Sequence, residues 1–109
     1  MNLEAKARVL DLLANFHVGQ RYGTTGAMLA LQAGISTREL RDCVTALRED
    51  GIGVCGTPET GYFVAETNHE LEEFCIKFLR DRALHSLRLI SRLTHTALPD
   101  LVGQLKLES

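Results

Sequence analysis

Arg38, Arg41, Thr45 and Arg48 recur at steps of three and four residues. On a helix that spacing lines side chains along one side. Guanidinium groups gathered there can grip phosphate or bind the guanine edge bidentately. A threonine between them can meet a base edge or a thymine methyl. Thr24, Thr25, Ser36 and Thr37 stand where helices are expected to begin. There, free backbone N–H groups attract phosphate. Glu39, Asp42 and Glu49 share the segment with the arginines. They favour the rival reading, in which the arginines only solvate a helix.

Other constellations carry less chemistry. Gly51-Ile52-Gly53-Val54-Cys55-Gly56 matches GxGxxG. A dinucleotide site needs that motif between a strand and a helix, whereas here it follows a predicted helix and enters a predicted hairpin. Cys43, Cys55, Cys75 and His69 fit no standard zinc spacing. Cys43 and Cys75 flank apolar stripes and read as core residues. For Cys55, in the hairpin, an exposed and oxidisable position is a minor alternative. No motif sets a Ser or Cys nucleophile beside any of the four histidines. Neither a metal, a cofactor nor enzymatic activity is expected.

The 109 residues suit one compact domain. The 45% hydrophobic content is enough to form a core, and 24% charged residues keep the chain soluble. No uncharged apolar stretch is long enough to cross a bilayer. Glu4 and Asp11 argue against a secretory signal. Three cysteines without a CxxC pair point to a reducing cytoplasm. A net charge of −2 argues against nucleic-acid binding through bulk charge.

The elements that would position the arginines follow from periodicity. Leu3, Ala7, Leu10, Leu13 and Ala14 predict a helix over 3–18. Met28, Leu29 and Leu31 predict a second over 24–33, capped by Thr24 or Thr25 and ended by Gly34. Ser36 and Glu39 form a capping box for a third helix over 37–50, buried along Leu40, Val44 and Leu47. Ile52–Cys55 and Tyr62–Ala65 then read as a hairpin. A second capping box at Thr67–Glu70 opens a helix that runs to Pro99. From residue 68 to residue 97 it would span about 45 Å. That exceeds the roughly 30 Å diameter of a globule this size, so part should protrude or meet a partner. The expected fold is mainly α with a small β-hairpin, divided into 1–66 and 67–109.

Residues 24–52, TTGAMLALQAGISTRELRDCVTALREDGI, resemble the helix-turn-helix of the winged-helix class through Ala30, Gly34, Ile35, Ser36, Leu40 and Leu47. VCGTPETGYFV, residues 54–64, looks like the wing. The span 24–66 is similar to the DNA-binding domains of biotin repressors, and nothing resembling their ligase part follows. The layout also resembles small winged-helix proteins of phages and prophages. The resemblance implies a winged helix-turn-helix followed by a long C-terminal helix, with Arg38, Arg41 and Thr45 facing duplex DNA. The wing departs from the DNA-binding pattern, since Thr57–Thr60 holds Glu59 and no Lys or Arg.

Along the predicted long helix, Leu71, Phe74, Cys75, Phe78 and Leu79 form a stripe that would pack on the preceding domain. Leu79, Ala83, Ser86, Ile90, Leu93 and Ala97 then form a heptad-like seam suited to a homodimer. Packing against the first helix is the alternative. Residues 77–95 carry Lys77, Arg80, Arg82, Arg88 and Arg92 against Asp81. Matching of the helix macrodipole explains this, with a second DNA-backbone surface as the alternative. In the tail, which lacks periodicity, Gln104, Leu105 and Leu107 resemble the short motif by which bacterial replication proteins dock on the sliding clamp. Glu108 stands where that motif has an aromatic. Two functions emerge: sequence-dependent binding of double-stranded DNA by a dimeric transcriptional regulator, or an interaction module of a replication complex.

Overall fold

A computed structural model of the chain describes residues 2–108, with side chains through residue 103. It is mainly α with one small antiparallel hairpin and a long C-terminal helix. The chain divides into two compact units, Met1–Ile76 and Lys77–Ser109.

In the first unit, α1 (Leu3–Phe16) is capped by Asn2, whose side chain accepts from the N–H groups of Glu4 and Ala5. Its buried face is Ala5, Val9 and Leu13, with Leu10 and Leu12 half-buried. Leu3, Ala7 and Ala14, expected inside, are exposed. Two long-range bonds orient α1. Arg8 Nε donates to the Ala33 carbonyl at 3.1 Å. The Lys6 ammonium meets Asp50 at 2.5 Å.

α2 (Gly26–Ala33) starts at Thr25, whose hydroxyl accepts from Met28 N. It buries Leu29, Ala30 and Ala33, while Met28 and Leu31 face solvent. Gly34 ends it at φ 69°, a left-handed conformation that glycine adopts without Cβ strain. α3 (Thr37–Glu49) opens with the predicted reciprocal box: Glu39 N donates to the Ser36 hydroxyl, and Ser36 N to the Glu39 carboxylate. Leu40, Cys43, Val44 and Leu47 form its buried stripe.

The strands are β1 (Val54–Thr57) and β2 (Gly61–Val64), paired from Val54–Val64 to Thr57–Gly61. β1 starts later than expected because Ile52 N is used to close α3, bonding the Leu47 carbonyl. The ladder reaches further because the Thr57 and Thr60 hydroxyls, 2.8 Å apart, bridge the turn. On its other edge β2 bridges Val18 and Thr24.

A second apolar cluster joins Cys55 and Phe63 to Leu71, Phe74 and Cys75. Phe63 and Phe74 meet edge to face at 5.8 Å. That packing puts α4 (Asn68–Leu71) and the following π turn, Glu72–Ile76, in the first unit. The unit boundary therefore falls after Ile76 rather than at residue 66. The predicted apolar stripe divides there too, since Phe78 and Leu79 belong to the second unit. At the start of α4 the Thr67 hydroxyl accepts from Glu70 N. The Thr67 backbone contributes to holding the Glu70 carboxylate, as the expected box requires, but the main donors are others. The carboxylate accepts from Glu66 N at 2.8 Å and from Gln20 N, fifty residues away, at 2.9 Å.

In the second unit, α5 (Lys77–Thr94) ends three residues before the predicted limit. His95 takes φ 56°, Thr96 N donates to the Ser91 carbonyl, and the Ser91 hydroxyl donates to the Thr96 carbonyl. A left-handed residue followed by this back-bond is a helix terminator usually built on glycine. The histidine gave no such signal in the sequence. Pro99 does not close the long helix. It lies in the first turn of α6 (Leu98–Glu108), where its missing N–H is harmless. The tail, whose sequence has no strong periodicity, is helical through Glu108. α6 packs on α5 with Leu101 buried.

Accepting from the backbone N–H groups of Gln20 and Glu66, with Thr67 adding less, holds the Glu70 carboxyl below the usual carboxylate range. Stability from this contact is present above the unfolded-state pKa and lost as pH falls through the lowered folded value. Glu70→Ala should unfold at lower urea than the parent at neutral pH, and the gap should close on acidification. A gap that stays constant across a pH series of urea melts would contradict the assignment. His95→Gly should stabilise the α5–α6 turn by about 1 kcal/mol, read as a rise in the urea midpoint.

Candidate nucleic-acid interface

The buried stripe of α3 determines what its other side presents. With Leu40, Cys43, Val44 and Leu47 inward, Arg38, Arg41 and Thr45 are exposed. At about 100° per residue these three fall within an arc of about 60°, over roughly 10 Å of helix. Neither arginine enters an ion pair among the described residues. Thr37, in the first turn, is exposed as well.

Arg48, the fourth member of the predicted row, is turned to another task. It is half-buried, and its Nε donates to the Val54 carbonyl at 2.8 Å, tying the end of α3 to β1. Thr24 is half-buried and exchanges two backbone hydrogen bonds with Tyr62 at 2.9 and 2.6 Å. Thr25 and Ser36 are exposed caps whose hydroxyls already accept from Met28 N and Glu39 N. Because Glu39 sits over the start of α3, that N-terminus already holds a negative charge.

The hairpin turn is clipped by paired threonines: Thr57 N donates to the Thr60 hydroxyl, and Thr60 N to the Thr57 hydroxyl. Pro58 and Glu59 are exposed at its tip. Gly56 lets β1 pass close to the Tyr62 ring, since a Cβ there would lie 2.7 Å from the ring carbon Cδ1. The glycines at 51, 53 and 56 thus serve a helix end and a strand, not a strand-to-helix phosphate loop.

Cys55 is fully buried, which removes the alternative of an exposed, oxidisable thiol in the hairpin. The alternation of β1 turns it inward, onto Phe63 and Cys75. Burial pushes its thiol up to about 12, with the neighbouring Cys75 adding to the rise. Burial also raises the Cys43 thiol, helped by the Asp42 and Glu39 carboxylates. All three cysteines are free and buried. Among the described residues no group of three His, Cys, Asp or Glu side chains could hold a metal ion. A cavity of about 120 Å³ lined by Asn2, Ala5, Glu39, Asp42 and Cys43 is smaller than ordinary ligand sites.

In the second unit, the predicted seam residues Leu79, Ala83, Ser86, Ile90 and Leu93 all lie exposed on α5. Ala97 falls outside the helix, where its carbonyl accepts from the first N–H groups of α6. Gln104, Leu105 and Leu107 lie in the α6 backbone span, and their side chains are outside the described residues. No described helix is long and apolar enough to cross a membrane.

Sequence reasoning missed the Arg8–Ala33, Glu70–Gln20 and Arg48–Val54 bonds because each joins a side chain to a backbone atom beyond the reach of helical periodicity. Comparison with family models, curated proteins and solved structures finds no significant match to this chain.

The buried thiols make a direct prediction. At neutral pH a disulfide-exchange reagent should release almost no thiol from the native protein and three equivalents after unfolding. Rapid release of one equivalent from the native state would show that a cysteine is reachable.

Proposed function

We propose that this chain is a winged helix-turn-helix protein that binds duplex DNA in a sequence-dependent manner, as a homodimer and transcriptional regulator. The observation that carries the reading is the exposed row Arg38, Arg41 and Thr45, opposite the buried stripe of α3. A helix of this kind fits the roughly 12 Å major groove. Its arginines would bind guanine edges or phosphates, and Thr45 a base edge or methyl. Thr25 and Thr37 would sit near the backbone. Arg48 and Thr24 would hold the scaffold instead of touching DNA. Replication of a phage or bacterial chromosome is the alternative setting. There the same unit would contact protein, a reading favoured by the uncharged-to-acidic hairpin tip at Pro58 and Glu59.

Titration against random and genomic duplex fragments at several salt concentrations tests the proposal. A DNA reader binds with a steep salt dependence. Arg38→Ala and Arg41→Ala should each weaken selected-site binding by about tenfold or more and flatten the salt slope. Absence of binding at low salt would reject the DNA reading in favour of a protein partner.

A further inference from the structure

On α5 the exposed residues Leu79, Ala83, Ser86, Ile90 and Leu93 share one side, with the small pair Ala83 and Ser86 followed by the large pair Ile90 and Leu93. The half-buried residues Leu84, Leu87 and Ser91 lie to one side of them, about a quarter turn away. A helix of a four-helix bundle has this character, with two apolar faces for two neighbours. α6 is one neighbour.

We infer that the second neighbour is α5 of another copy of this chain, running antiparallel, with the twofold axis crossing at the level of Arg88. The inference rests on the homodimer of the proposed function and specifies its geometry. In that register Ala83 faces the partner's Leu93, and Ser86 faces the partner's Ile90. The twofold repeats both pairs. Each of the four layers from Ala83 to Leu93 then joins one small and one large side chain, which keeps that stretch at uniform width, while Leu79 lies beyond the end of the partner's α5. A parallel pair would stack Ala83 on Ala83 and Ser86 on Ser86, leaving gaps between layers of paired Ile90 and paired Leu93.

Charge selects the same orientation. Arg82 comes level with the partner's Thr94, the last residue of its helix. Carbonyl groups there give a helix its negative end. A parallel pair would bring the two Arg82 residues, which flank the seam, to one level, where like charges repel. Arg88, level with its copy on the antiparallel axis, lies on the side of α5 away from the seam.

The buried native thiols permit a cross-linking test on the full chain. Ala83→Cys and Leu93→Cys chains, mixed and oxidised, should form a mixed disulfide dimer. Ser86→Cys alone should not cross-link, and sedimentation of the parent should give a dimer mass. Cross-linking of Ser86→Cys alone without the mixed disulfide would overturn the antiparallel orientation. A monomer mass with no cross-link in either experiment would overturn the dimer itself. If the mixed dimer forms but binds no DNA, the geometry stands and the DNA-reading proposal fails.

Discussion

Burial of four residues on α3 is the constraint on which the rest of the first unit depends. Leu40, Cys43, Val44 and Leu47 carry almost no exposed surface and share one core with Val9 and Leu13 of α1 and Leu29 of α2. Side chains of that size stabilise by roughly 1.5–3 kcal/mol each when fully buried. Rotating α3 to hide Arg38 or Arg41 would expose this stripe and strand charge in an apolar interior. The outward row is thus a consequence of the inward one. The Ser36–Glu39 box and the left-handed Gly34 set where the helix begins.

Side-chain and backbone bonds across element boundaries tie the helices to the hairpin and the segments beside it. Arg48 ties α3 to β1, and Thr24 pairs with Tyr62 on the free edge of β2. Glu70 accepts from Gln20 N and Glu66 N. Each satisfies a backbone group that would otherwise depend on water. They also divide the polar residues near α3 into two kinds. Arg48 and Thr24 are committed to the scaffold, whereas Arg38, Arg41 and Thr45 are left toward solvent. Only the second kind is available to a partner.

The second unit shows a similar division on one helix. One side of α5 lies beside α6, and another carries Ile90, Leu93 and Leu79 into solvent. Monomeric proteins rarely leave a continuous apolar stripe open. The turn at His95 shapes this unit, because it ends α5 early and returns the chain as α6. A straight helix to residue 97 would have placed Ala97 on the seam, whereas the turn makes it the start of the next element.

Local chemistry was legible in the sequence wherever its partners lie within about four residues. The Ser36 box, the glycine stop at 34, the α3 stripe and the two-stranded hairpin all follow from spacing, because capping bonds and helical periodicity are local. That Leu79, Ala83, Ser86, Ile90 and Leu93 share one side of a helix was legible for the same reason. Tertiary structure alone decided which face of α1 is buried, that Cys55 points inward and that Arg48 and Glu70 bind distant backbone. It also decided that His95 bends the chain. Those outcomes depend on which surfaces meet across tens of residues, and such a meeting leaves no periodic trace in either segment by itself.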